Sequence, residues 1–100
     1  MARPYSEQFL ISLTKTESRS VGVRLAKLCV KANLPSLYVA DKFGVDTRSV
    51  YSWFRGGKIR PANREQIKGL ISEIERSLDT GELPAQTLKQ AKEYLDGIWM

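Results

Sequence analysis

Residues 36–55, SLYVADKFGVDTRSVYSWFR, satisfy three spacing constraints at once. Val39, Ala40 and Phe43 stand three to four residues apart, as do Val50, Trp53 and Phe54, so each half presents one apolar stripe at helical period. Between the halves lies Gly44-Val45-Asp46. Gly44 permits the positive φ that ends a helix without a Cβ penalty, Val45 plugs the corner, and the Asp46 carboxylate can cap the next N-terminus. Ala40 supplies a small side chain where two steeply crossed helices bring their backbones together. The stretch reads as a helix-turn-helix. The same residues also suit a plain helical hairpin within an all-α core.

On either side the periodicity continues. Residues 5–14 fit two descriptions: Ser6 can cap a short helix with Phe9, Leu10 and Leu13 on one face, and Phe9, Ile11 and Leu13 alternate as in a strand. The helix is favoured. Thr16 or Ser18 can cap the next helix, in which Val21, Leu25, Leu28, Cys29 and Ala32 share a stripe. Gly22 costs that helix about 1 kcal/mol relative to alanine, so packing must offset it. Asn33-Leu34-Pro35 forms a corner, and Gly56-Gly57 stops the helix that contains Trp53. Asn63 is a candidate cap for a strongly amphipathic helix through Ile67, Leu70, Ile71, Ile74 and Leu78, ended by Gly81. Pro84 is expected to begin a last helix, with Leu88, Ala91, Leu95 and Ile98 on one face and Tyr94 and Trp99 beside it. This predicts a compact all-α domain of five or six helices.

One hundred residues suffice for one small domain with a modest core. No apolar run approaches the roughly 18 residues of a membrane span, and residues 1–9 carry no secretory signal pattern. Cys29 is the only cysteine, which suits a reducing cytoplasm. With no histidine and one cysteine, neither zinc-site spacing nor the most versatile acid-base side chain is available. Carboxylate pairs such as Glu73 and Asp79 or Glu93 and Asp96 read as solvated helix faces, and Gly56-Gly57 lacks the Walker pattern. No catalytic residue, metal, cofactor or small-molecule ligand is expected, and an enzyme is disfavoured. Charge is uneven: +3 over residues 1–41, +5 over 42–64 and −3 over 65–100. The basic window covers the second half of the helix-turn-helix and its exit, where a nucleic-acid reading needs positive charge.

Residues 36–55, the upstream run VGVRLAKLCVKANLPS over 21–36 and the downstream run WFRGGKIRP over 53–61 resemble the DNA-binding domains of phage Cro and phage repressors, the xenobiotic-response-element-like, lambda-repressor-like class. The resemblance covers about forty residues within a core at 15–78, with an N-terminal extension at 1–14 and a C-terminal helix region at 82–100. It implies that the second helix of the pair, about 46–55, enters the major groove of duplex DNA. Residue-by-residue transfer gives base contact to Thr47, Arg48 and Ser52, with Tyr51 and Arg55 at the rim. Arg48 is the first choice, since bidentate arginine to guanine is the commonest specific contact. Lys42, Lys58, Arg60 and Arg64 fall where phosphates are expected, and Ser36 takes the phosphate-binding position usually held by a longer Gln. Trp53 is expected in the core.

Many relatives join the first and recognition helices by a buried Arg–Glu pair, and the aligned positions here are Cys29 and Phe54. Both are apolar, so the two are expected to pack directly with an inert thiol. The implied function is a transcription regulator encoded by a phage or mobile element, acting in the cytoplasm of a bacterial or phage-infected host cell and binding duplex DNA as a homodimer. Leu88, Leu95, Ile98 and Trp99, or the segment 9–13, are the candidate two-fold surface. The C-terminal stripe folding back on the 67–78 helix is the competing arrangement. A protein-interaction adaptor, such as an antitoxin or polymerase modulator, and a DNA-packaging or recombination accessory factor are the alternatives.

Overall fold

The computed structural model describes residues 5–15 and 20–98. They form six helices: α1 Glu7–Thr14, α2 Val21–Ala32, α3 Ser36–Phe43, α4 Thr47–Phe54, α5 Pro61–Thr80 and α6 Leu88–Gly97. No strand occurs among the described residues. The choice between helix and strand at 7–14 is resolved by Ser6, whose hydroxyl accepts the Phe9 N–H at 3.2 Å and starts α1. Ile11, which strand alternation would turn inward with Phe9 and Leu13, is half exposed at 50%.

Local chemistry accounts for most boundaries. Ser20 caps α2 by accepting the Val23 N–H at 3.2 Å, in place of the expected Thr16 or Ser18, which lie outside the described residues. The serine directly before the first apolar residue is the one whose hydroxyl reaches the third helical N–H. At the other end Asn33 adopts φ 58°, and the Leu34 N–H donates to the Cys29 carbonyl at 2.9 Å. Gly44 repeats this at the end of α3, with φ 66° and the Val45 N–H donating to the Ala40 carbonyl at 3.0 Å. Both helices thus end in a left-handed cap that satisfies otherwise orphaned carbonyls.

Two expected starts are corrected. Helix α5 begins at Pro61 rather than after a cap at Asn63. Proline is suited to that first position, where its missing N–H would have no helical partner. Pro84 does not begin α6. Leu83 and Ala85 are drawn into the core, and the Ala85 N–H donates to the Ala32 carbonyl at 2.9 Å, a bond a helix could not supply. The last helix therefore starts only after Thr87, whose hydroxyl accepts the Gln90 N–H at 3.0 Å.

Helix α2 packs on α5 and α4, α3 packs on α4 and α6, and α1 lies on α2. Leu25, Leu34, Phe54, Ile67, Leu70, Ile74 and Leu95 are fully buried at the centre. The C-terminal stripe is corrected in the same way as its start. Leu95 and Ile98 are buried within the chain and Leu88 stands 56% exposed, so these residues do not form one continuous outer surface; Trp99 lies outside the described residues. Covering falls to α3 more than to α5, although the Ser77 and Tyr94 hydroxyls meet at 2.9 Å between α5 and α6. Lys42 of α3 donates from Nζ to the Ile98 carbonyl at the end of α6.

Candidate nucleic-acid interface

Helix α4 divides cleanly. Val50, Trp53 and Phe54 point into the core, while Arg48 and Arg55 stand exposed on the opposite face, and Thr47, Tyr51 and Ser52 are half-buried between. Asp46 holds the N-terminus: its carboxylate accepts the Arg48 N–H at 3.0 Å, so it caps rather than projects. Trp53 is 4% exposed with its ring edge-on to Phe43 at 5.4 Å, a core residue as expected. The position of α4 is set by Gly22. A Cβ at residue 22 would lie 2.1 Å from the Trp53 carbonyl oxygen, so α2 and α4 touch backbone to backbone there.

The exit from α4 is tight. Gly57 donates from its N–H to the Ser52 carbonyl at 2.8 Å, and Gly56 adopts φ 88°. Ile59 is half-buried between exposed Lys58 and Arg60. A shallow cleft lined by Val45, Asp46, Ser49, Arg60 and Asn63 brings Arg60 beside the start of α4, and exposed Arg64 follows one turn on. Thr47, Arg48, Arg55, Lys58, Arg60 and Arg64 are therefore gathered around α4 and its exit. The other four candidates are not equivalent to them. Ser36, in the first turn of α3, is 6% exposed and has no open face for a phosphate. Lys42 is drawn to the Ile98 carbonyl, where a cation also suits the negative end of α6. The Ser52 hydroxyl faces the exit turn, since a Cβ at residue 57 would lie 2.4 Å from it. The Tyr51 ring is engaged edge-on by Phe9 at 5.4 Å and by Phe54 at 5.9 Å.

That last contact was not legible beforehand. Tyr5 and Phe9, stacked on each other at 5.2 Å, close over Tyr51 and Phe54, so the N-terminal extension is built into the flank of α4. The i, i+4 pair of aromatics ahead of the core was the available signal. Tyr5 also meets both Cys29 and Phe54. Both of those residues are buried as expected, and the Tyr5 hydroxyl lies against the thiol while donating to the Leu34 carbonyl at 2.6 Å. Burial pushes the Cys29 thiol from 9.0 up to about 12, and it raises the Tyr5 phenol in the same direction. Native protein at pH 8 is accordingly expected to leave Cys29 unlabelled by a thiol-disulfide exchange reagent, with reaction appearing only on global unfolding. Because folding raises this pKa, the associated stability is complete below pH 9 and is lost as the pH rises toward 12. Rapid native labelling would contradict the packing.

Among the described residues no group of acidic, cysteine or histidine side chains could hold a metal ion, and no helix is long and apolar enough to cross a membrane. The chain matches no known family, curated protein or solved structure.

Proposed function

We propose that the protein is a sequence-specific regulator of transcription that lays α4 in the major groove of duplex DNA, in the manner of the Cro and phage-repressor domains its sequence resembles. One observation carries the reading: a capped helix, held by its neighbours through Gly22 and the Gly44 turn, turns Arg48 and Arg55 outward within the most basic window of the chain. Arg48 reads a base edge near the start of α4, with Thr47 beside it. Lys58, Arg60 and Arg64 follow the phosphate backbone, which positions the protein without selecting sequence.

Homodimeric binding belongs to the same proposal, because two copies on half-sites ~34 Å apart supply specificity that one short helix lacks. The test is selection of bound duplexes from a random pool. Arg48→Ala is expected to relax preference at one base pair by about 1–3 kcal/mol. Lys58→Ala is expected to weaken all sequences alike and to reduce the salt slope by about 0.9. A pool that yields no consensus, or a consensus unchanged by Arg48→Ala, would count against the reading and favour the protein-binding adaptor.

A further inference from the structure

Helix α1 is an addition to the region of resemblance, and its placement gives it a role there. Its ring contacts are all to one side of α4: Phe9 meets Tyr51 at 5.4 Å and Phe54 at 6.1 Å, and Tyr5 meets the same two at 6.5 and 6.2 Å. Each residue of a helix advances about 100° around its axis. With Phe9 directed at α4, Leu10, Leu13 and Thr14 turn toward α2, where they line a groove with Lys27, Val30 and Asn33. Gln8, Ser12 and Lys15, spaced i, i+4, i+7, then fall on the other side of Phe9, away from α2, and all three are exposed.

The same turn applies to α4. Moving around it from buried Val50 and Phe54, one passes Tyr51 under the α1 rings and next reaches exposed Arg55 and Arg48. The row Gln8, Ser12 and Lys15 and the arginines of α4 therefore border one surface, with the aromatic cluster as the fixed hinge line between them. The row holds an amide, a hydroxyl and an ammonium, all hydrogen-bond donors. Glu7, the only acid on α1, points about 100° farther round toward Ile11 and solvent. Donors of these kinds are the ones that engage phosphate oxygens.

We infer that α1 is a second DNA-contacting element, whose Gln8, Ser12 and Lys15 row grips the phosphate strand along the wall of the groove that α4 enters. The inference rests on the proposed function above. It assigns the extension the task of setting register and depth: α1 covers the Tyr51 flank, leaving the Thr47 and Arg48 end of α4 to meet base edges.

Buried Cys29 leaves the full chain silent to surface labelling, so a single introduced thiol can carry a tethered iron chelate that generates hydroxyl radicals. Ser12→Cys and, as a reference beside Arg60 and Arg64, exposed Ala62→Cys are each labelled and bound to a duplex recovered from the random pool. Both are expected to cut the backbone, at separate positions on the site. In parallel, replacing Gln8, Ser12 and Lys15 together by alanine is expected to lower affinity about tenfold and the salt slope by about 0.9, for selected and unselected duplexes alike. Cutting from residue 62 without cutting from residue 12, or undiminished affinity of the triple variant with its helix content intact, overturns the role of α1 and leaves the α4 reading standing. Recovery of no duplex at all overturns both.

Discussion

Gly22→Ala is expected to lower the thermal midpoint by roughly 10–20 °C, a destabilisation of about 3 kcal/mol. On helix propensity alone the change has the opposite sign, since alanine in a helix is favoured over glycine by about 1 kcal/mol. Packing decides the outcome. The new Cβ would sit 2.1 Å from the Trp53 carbonyl oxygen and 2.7 Å from its carbon, both backbone atoms that no rotamer change can move. That carbonyl also accepts the Gly56 N–H at 2.9 Å, so displacing it disturbs the exit turn that leads to Lys58 and Arg60. Thermal unfolding followed by circular dichroism checks the sign directly. A raised midpoint would mean that α2 and α4 are not in backbone contact.

Phe54→Ala is expected to cost about 3–5 kcal/mol, the range for deleting a buried aromatic ring. Against a total of roughly 5–15 kcal/mol for a domain of this kind, that brings the folded state near its limit. The residue is 1% exposed, and its ring lies within 6.2 Å of Tyr5, 6.1 Å of Phe9 and 5.9 Å of Tyr51, so its loss opens a cavity among three side chains drawn from two helices and the chain ahead of α1. The consequence should be specific as well as large: Cys29, which shares that packing through Tyr5, is expected to become accessible to the exchange reagent. Phe54→Leu, which retains most of the volume, is expected to cost less than about 1.5 kcal/mol and to keep the thiol protected. Denaturant titration of both variants, with thiol labelling in the same samples, separates the two. Equal stability of the alanine variant and the unaltered protein would show that the aromatic cluster is not packed.

The two substitutions bear on α4 from different sides. Gly22 sets how closely its C-terminal end approaches α2, while Phe54 and its neighbours fix the flank against which α1 rests. A base-reading helix must hold its side chains within fractions of an ångström of their targets. If α4 reads DNA as proposed, variants that loosen either contact without unfolding the chain should lose sequence discrimination before they lose general affinity for DNA.

Features set by neighbours in sequence were legible in the residues alone. The 3.6-residue stripes, Gly44 at the left-handed turn, Asp46 as the cap of α4 and Trp53 on the inner face depend on contacts within a few residues, and such contacts are encoded by spacing and side-chain type. Even the cost of Gly22 could be read there, though its compensation on the Trp53 carbonyl could not. What tertiary structure decided lies at long range. The Tyr5 hydroxyl meets the Leu34 carbonyl 29 residues away, Asn33 donates to the Ala85 carbonyl across 52, and Lys42 reaches the Ile98 carbonyl across 56. Those partnerships bring α1 to the flank of α4, delay the start of α6 past Pro84, and turn Lys42 from a phosphate candidate into a helix-end contact. Periodicity specifies which face of a helix is apolar, but not which of several apolar faces will cover it. That selection is made by shape and by the pairing of backbone groups once the helices meet.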